Sequence, residues 1–167
     1  MSFTDKLTHL YNARGFARAS QQQLAMLNGP LSRAMLLTIE VAHLKVIEQA
    51  LGREPAELML TRTADILRGV FRGAVIGRLG VDRFAVLIPA SPSRCAELIA
   101  ALNDDIDAVN SADPNLYLSL GGKYQLLDPR RSDFIESWIE SANRSEKLAS
   151  SAGGAVICGE SNSSSRF

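Results

Sequence analysis

Apolar residues recur along the chain with two different spacings, and the change between them predicts where helices and strands lie. Residues 34–41 form an almost continuous apolar run, which is typical of a strand buried on both faces. Asn12 is a suitable N-cap for a helix to about Leu27, and residues 28–30 (Asn-Gly-Pro) end it. The other predicted elements, in chain order, are a helix 43–50, a helix 55–71, hairpin strands 75–79 and 84–88, a helix 92–109, a strand 116–125, a helix from about 132 to 148 and a strand 155–158.

This order of elements predicts an α+β fold in which helices flank a central mixed sheet of about five strands. The length of 167 residues suits one domain. Residues 161–165 are polar and of low complexity. We therefore expect one domain over residues 1–160, followed at 161–167 by a flexible tail or the start of a linker to another domain.

Composition and charge narrow the classes of function. Lys and Arg total 18, as do Asp and Glu, so the basic excess of a nucleic-acid-binding protein is missing. No apolar stretch approaches the length of about 18 residues that a membrane span needs, and the N-terminus does not resemble a signal peptide. Cys95 and Cys158 lie in apolar or amphipathic segments, as reduced structural thiols do. We expect a cytoplasmic domain, or the cytoplasmic part of a larger membrane-attached protein.

The hairpin predicted at 75–88 carries an acid, Asp82, at its tip, and Glu40 stands near the end of the buried strand. On residue type alone, Asp82 is an ordinary turn residue, Glu40 a polar strand-end residue and Lys45 a solvated helix lysine. The alternative is that all three residues belong to a site that binds a metal ion or a phosphate group.

Five segments together carry a family resemblance. They are D-K-L-T-H-L-Y-N-A-R-G-F at 5–16, I-E-V-A-H-L-K at 39–45, G-R-E-P-A-E-L-M-L at 52–60, R-L-G-V-D-R-F at 78–84 and S-L-G at 119–121. In this order and spacing they resemble the motifs of the GGDEF domains of diguanylate cyclases, over about residues 5–158. The resemblance implies a ferredoxin-like, palm-type sheet such as that of nucleotidyl cyclases.

The resemblance also implies a metal site. Diguanylate cyclases join two GTP molecules into cyclic di-GMP, and the attack of a 3′-hydroxyl on an α-phosphate depends on metal ions. Mg²⁺ prefers carboxylate and carbonyl oxygens. The family's ligands correspond here to Glu40, the backbone carbonyl of Val41, and Asp82, which is also the remnant of the catalytic site.

The nucleotide would lie against five further positions, and three of them depart from the family pattern. These positions are Lys45, Glu48, Glu57, Gly80 and Val81. Val81 replaces a glycine whose freedom of backbone angles and close approach to the nucleotide a β-branched residue lacks. Glu48 and Glu57 replace the Asn and Asp that bind guanine, and a glutamate cannot donate the hydrogen bonds of an amide.

Other family positions have lost their charge or reversed it. Arg83 replaces the fourth acid of the motif, and we expect it to pair with Asp82 or Glu40 and to take the place of a metal. Ser150 and the region of Gly154 replace a lysine and an arginine that bind phosphate. The inhibitory product site would need an arginine at Phe71 and an aspartate at Ala74, so we expect no such site.

The leading functional hypothesis is a degenerate, catalytically inactive GGDEF domain of a bacterial cyclic di-GMP signalling protein. It would act as a regulatory module that binds GTP, or as an interaction module, beside a sensor or phosphodiesterase-like domain. The first alternative is a weak diguanylate cyclase. The second is a nucleotide-free dimerisation scaffold that acts as a homodimer.

Overall fold

The computed structural model describes residues 2–27, 29, 31–130, 135, 137–139 and 153–158, which contain four complete helices, five strands and further helical residues at 135 and 137–139. In chain order they are α1 (Ala13–Ala25), β1 (Ala34–Val41), α2 (Leu44–Leu51), α3 (Arg53–Val70), β2 (Val75–Arg78), β3 (Arg83–Pro89), α4 (Pro92–Ala112), β4 (Leu120–Leu127) and β5 (Gly153–Cys158). Asn12 caps α1 as predicted, because its side chain accepts a hydrogen bond from the Gly15 N–H.

The five strands form one sheet in the order β2-β3-β1-β4-β5, and every neighbouring pair is antiparallel. The first four strands, with α2, α3 and α4 between them, have the β-α-β-β-α-β connectivity of ferredoxin-like folds. This confirms the predicted fold class. The sheet is antiparallel and not mixed as predicted, and the described residues pair in parallel only at one isolated bridge, between Tyr11 and Gly77.

The central strand β1 separates two hydrophobic cores. Leu37 and Ile39 pack on one side of the sheet with apolar residues of α3 and α4. Ala34 and Leu36 pack on the other side with Phe16 of α1. Because both faces are covered, β1 contains almost no polar residue until Glu40, near its end.

Trp138 and Cys95 are both buried. Trp138 packs its ring 6.3 Å from that of Phe16, measured between centroids. Cys95, on α4, is buried in the core, and burial raises the pKa of its thiol, as expected of an inert structural cysteine. The side chain of Cys158 lies outside the described residues.

The predicted strand 116–125 starts later, at Leu120, and a side chain explains the difference. Asn110 of α4 donates to the Leu118 carbonyl at 2.8 Å and accepts from the Leu118 N–H at 2.7 Å. These two bonds satisfy the backbone of Leu118 without a neighbouring strand.

Other boundaries also shift. Strand β5 begins at Gly153, two residues before the start of the predicted strand 155–158. Most of the helix predicted from 132 to 148, together with Ser150 and the tail 161–167, lies outside the described residues. Among the described helices, none combines the length and the apolar character that crossing a bilayer requires.

Candidate functional site

The hairpin turn between β2 and β3 lies directly beside the end of β1. The Val41 N–H donates to the Asp82 carbonyl at 2.8 Å, and Glu40 stands opposite Arg83 in the antiparallel register. A further bond, from the Leu79 N–H to the Arg83 carbonyl at 2.8 Å, closes the turn. The pairing of β1 with β3 therefore brings Glu40 and Asp82 to the same end of the sheet, as their sequence positions predict.

Arg83 stands between the two acids. Its Nη2 lies 3.5 Å from Glu40 Oε2, and its Nε lies 3.9 Å from Asp82 Oδ1. These separations are ion-pair contacts and are longer than ordinary hydrogen bonds. The Arg83 side chain is 13% exposed, against 56% for Glu40 and 38% for Asp82. The Arg83 side chain is thus largely buried, whereas the two carboxylates beside it remain exposed to water.

A metal-binding cluster does not form here. No three Asp, Glu, His or Cys side chains converge anywhere in the part of the chain that the structure describes. At the hairpin there are two acidic side chains, and the group that lies between them, the Arg83 guanidinium, is positively charged. The residues present therefore do not fit a divalent cation while the Arg83 guanidinium stays in this position.

The backbone at Gly80 and Val81 is ordinary, which corrects the expectation that this turn needs a glycine's conformational freedom. Positive φ angles occur among the described residues only at His9, His43, Gly52 and Gly73. Val81 therefore carries its side chain without backbone strain, and that side chain is 71% exposed. The change from glycine to valine therefore affects the surface of the turn, because an apolar side chain is exposed where glycine would expose only backbone.

The residues predicted to bind the nucleotide are spread over the hairpin and two adjacent helices. Lys45 and Glu48 are exposed on α2, and Glu57 is partly exposed on α3. Gly52 joins the two helices with a φ of 103°, a conformation that favours glycine. The structure thus leaves Lys45, Glu48 and Glu57 on the surface rather than gathering them in one enclosed pocket.

Glu57 has a partner that our interpretation of the sequence missed. Arg53 Nε lies 3.0 Å from Glu57 Oε1, and the two residues are one helical turn apart. The signal was present in the sequence, since opposite charges at this spacing pair on a helix surface. In this arrangement one of the two carboxylates predicted to contact the base already has a cationic partner.

Behind the turn, a second arginine fixes the backbone. Arg78 donates to the Val81 carbonyl from Nη2 at 2.7 Å and from Nε at 3.2 Å. Its Nη1 lies 3.2 Å and 3.3 Å from the two carboxylate oxygens of Asp5. The turn is thereby tied to the N-terminal segment, a contact that the sequence motifs contain but do not reveal.

Asp5 is itself held by its own turn. It accepts hydrogen bonds from the Thr8 N–H at 2.9 Å and the Thr8 hydroxyl at 2.8 Å. Burial alone would raise the pKa of Asp5, but these bonds and the Arg78 charge outweigh it and hold the pKa below its ordinary value. Arg68 of α3 also donates to the Thr8 carbonyl, which anchors the same turn to the helix layer.

The positions of the family's product site carry no charge. Phe71 is fully buried in the core where α3 ends, and Ala74 is partly buried just before β2. Of the predicted phosphate-binding positions near the C-terminus, Gly154 lies on β5, and Ser150 is outside the described residues.

Comparisons with known proteins agree with this architecture. The family model described as "Diguanylate cyclase, GGDEF domain" matches residues 2–154. The probable diguanylate cyclase DgcC of Escherichia coli K12 is 28% identical over 158 residues, which are 92% of this chain and 42% of DgcC. The chain therefore spans less than half the length of that relative.

Solved structures support the fold. The GGDEF domain of DgcB from Caulobacter crescentus, solved in complex with c-di-GMP, superposes with a TM-score of 0.69 at 17% identity, covering 85% of this chain and 88% of that one. The diguanylate cyclase SiaD of Pseudomonas aeruginosa, solved in complex with its activator SiaC, gives a TM-score of 0.63 at 15% identity and covers 84% and 59%. At these identities the likeness concerns the fold alone.

Proposed function

The chain belongs to the GGDEF domain family, and from this premise we propose that it is a catalytically inactive regulatory module of a cyclic di-GMP signalling protein. One observation carries the proposal. The Arg83 guanidinium lies between Glu40 and Asp82, the two acids that correspond to the family's metal ligands.

The charge of Arg83 works against metal binding. Two unit charges about 4 Å apart interact by roughly 4 kcal/mol at an effective dielectric constant of about 20, and a divalent cation doubles that term. A Mg²⁺ ion placed between the acids would meet this repulsion and would also have to compete for carboxylates that Arg83 already neutralises. Without the ion, the charge on the transferred phosphoryl group is not neutralised and the two reacting oxygens are not aligned.

The base-reading positions support the same proposal. Glu48 offers a carboxylate where the family has an amide, and Glu57 is paired with Arg53 at 3.0 Å. A site that cannot satisfy the base's hydrogen-bonding groups loses selectivity by a few kcal/mol. Lys45 remains as an exposed cation that suits a phosphate, so we propose GTP as a ligand without turnover.

The module would then act by regulating neighbouring domains. DgcC is more than twice the length of the matched region, which leaves room for other domains in proteins of this kind. We propose that the module acts in the cytoplasm on a sensor or phosphodiesterase-like domain of the same protein.

A product assay tests the inactive assignment. The chain is incubated with GTP and Mg²⁺ or Mn²⁺, and cyclic di-GMP is resolved by chromatography, with Asp82→Ala as the matched variant. We expect no cyclic di-GMP from either protein. Product from the wild type that disappears in Asp82→Ala would establish catalysis and overturn the proposal.

A metal titration tests the role of Arg83 separately. The melting temperature is followed against Mn²⁺ for the wild type, for Arg83→Glu and for Arg94→Glu, which makes the same charge change on α4. We expect a Mn²⁺-dependent rise only in Arg83→Glu, since that variant removes the competing cation and adds a carboxylate. A rise of the same size in the wild type would show that Arg83 does not block the site.

A weak diguanylate cyclase is the second candidate, and one observation favours it. Glu40 and Asp82 lie side by side and keep much of their exposure to water, so a metal that displaced the guanidinium would find both carboxylates. The product assay separates the two candidates. A thermal shift with GTP that is lost in Lys45→Ala would in turn favour a GTP receiver over a nucleotide-free scaffold.

A further inference from the structure

Arg53 and Glu57 form an ion pair in the first two turns of α3, where the proposed function places the nucleotide base. Arg53 Nε lies 3.0 Å from Glu57 Oε1. Neither side chain has another partner among the residues that the structure describes. The contact therefore leaves the second oxygen of the carboxylate as an acceptor and the two Nη groups of the guanidinium as donors.

The backbone joins this pair closely to the other base-binding position, Glu48. The Gly52 N–H donates to the Glu48 carbonyl at 2.9 Å, and α3 begins at the next residue, Arg53. Helix α3 packs on the sheet face opposite to the one that Trp138 covers. The pair thus belongs to the same surface as α2 and is formed entirely within one described helix.

The chemistry of the pair differs from that of a carboxylate alone. Guanine carries N–H donors on N1 and N2 beside the acceptor O6, whereas adenine carries an N6 amino donor beside acceptor ring nitrogens. A carboxylate only accepts, so by itself it suits the two adjacent N–H groups of guanine and opposes a ring nitrogen of adenine. With Arg53 beside Glu57, either purine finds both a donor and an acceptor. The pair therefore fits both bases.

Exposure to water further reduces discrimination between bases. The side chain of Arg53 is 83% exposed and that of Glu57 is 39% exposed, and Glu48 is exposed as well. A wrong base is rejected strongly where it leaves buried polar groups without partners. Here water can reach the groups that a mismatched base leaves unpaired, so the mismatch costs little.

We propose that the nucleotide site accepts ATP as well as GTP, and that Arg53 is the residue that removes the preference for guanine. Both statements rest on the proposed function, in which this surface binds a nucleoside triphosphate. Arg53 acts by adding a donor beside the Glu57 carboxylate, which converts a position that only accepts hydrogen bonds into one that also donates them.

The test is a calorimetric titration of the whole chain with GTP and, separately, with ATP. We expect the two dissociation constants to agree within about threefold, since each base can satisfy the pair. GTP bound at least about tenfold more tightly than ATP would overturn this inference and leave GTP as the proposed ligand. If neither nucleotide bound, the proposal of a nucleotide ligand would fail together with the inference.

Variants of Arg53 show whether the pair contacts the base. Arg53→Ala leaves the Glu57 carboxylate without its donor, and we expect GTP then to bind about fivefold more tightly than ATP. Arg53→Lys keeps a cationic donor, so its ratio should stay near that of the wild type. A ratio in Arg53→Ala equal to that of the wild type would contradict the role of Arg53.

Two further variants locate the binding. Arg94→Ala breaks a comparable exposed ion pair on α4, between Arg94 and Glu97 at 3.0 Å, and should change neither affinity. Lys45→Ala should weaken GTP and ATP by the same factor, because Lys45 is assigned to a phosphate that both nucleotides share. Unchanged affinities in Lys45→Ala would place both nucleotides elsewhere and contradict the inference.

Discussion

The two sides of the hairpin turn differ in how closely an arginine approaches its acidic partners. On the supporting side, Arg78 makes contacts of 2.7 to 3.3 Å with the Val81 carbonyl and the Asp5 carboxylate. On the outward side, Arg83 stands 3.5 Å and 3.9 Å from its acids. The contacts by which Arg78 shapes the turn are short, while the ion pairs of Arg83 with Glu40 and Asp82 are long. The turn can therefore keep its shape when the residues of that face change.

The largest effect should come from removing the Arg78 side chain, which supports the turn. In Arg78→Ala, the Val81 carbonyl loses two donors and a partly buried Asp5 loses its cation, which we expect to lower the free energy of unfolding by about 2–3 kcal/mol. For a chain of this size that lowers the melting temperature by roughly 5–10 °C. Chemical denaturation and a thermal melt measure both values.

Arg94→Ala is the matched control, because Arg94 also pairs with a carboxylate, Glu97, at 3.0 Å but is exposed. Its cost should be below about 0.5 kcal/mol. If Arg78→Ala cost no more than this control, the two sides of the turn would not differ in the way the distances indicate.

The second largest effect should come from low pH, which weakens the contact between Asp5 and Arg78 that supports the turn. The folded state holds the pKa of Asp5 below its ordinary value of 3.8, so this carboxylate stabilises the fold above that value, and the contribution is lost as the pH falls through the folded pKa. We expect wild type to exceed Asp5→Asn in free energy of unfolding by about 1 kcal/mol at pH 6. The gap should narrow below about pH 4. Urea denaturation between pH 6 and pH 3 measures it.

Asp128 also has a lowered pKa and gives a second titration. Hydrogen bonds from the Arg130 side chain and N–H lower the pKa of Asp128 to about 2. The gap between wild type and Asp128→Asn should therefore also narrow as the pH falls below the ordinary value of 3.8, because the unfolded chain binds the proton before the folded one does. A gap for Asp5→Asn that is independent of pH would mean that the Arg78 contact does not depend on the Asp5 charge.

The smallest effect should come from an exposed ion pair away from the turn, that of Arg53 and Glu57 on α3. Arg53→Ala removes an ion pair whose arginine side chain is 83% exposed, and exposed pairs contribute at most about 1 kcal/mol and often nothing. We expect a change in the free energy of unfolding below about 0.5 kcal/mol, which added salt reduces further. A loss as large as that of Arg78→Ala would show that an exposed ion pair stabilises the fold as much as the part-buried contacts of Arg78 do.

Local patterns in the sequence predicted most of the fold. The strand at 34–41 was placed correctly because its apolar run is almost continuous, and the start of α1 because Asn12 is a strong N-cap. The position of Glu40 beside the hairpin also followed, since strands in this order pair directly.

Long-range side-chain contacts were not predictable in the same way. Asp5 and Arg78 are far apart in sequence, and no periodicity links them. Asn110 replaces the strand pairing of Leu118 with its own amide, which shortens β4 in a way that residue type does not signal. The backbone of Val81 depends on how Arg78 holds its carbonyl, so the residue's β-branched type alone predicted the wrong constraint.

The central place of β1 has a consequence for how the protein folds during synthesis. Ala34 pairs with Pro89 on one side and with Leu127 on the other, so this early strand has no partner until much later residues have been made. The β2–β3 hairpin is the only pairing between strands close in sequence among those described, and it is the natural place for the sheet to nucleate. Until β3 arrives, the most apolar segment of the chain stays unpaired on the ribosome, which makes the nascent chain dependent on protection from aggregation.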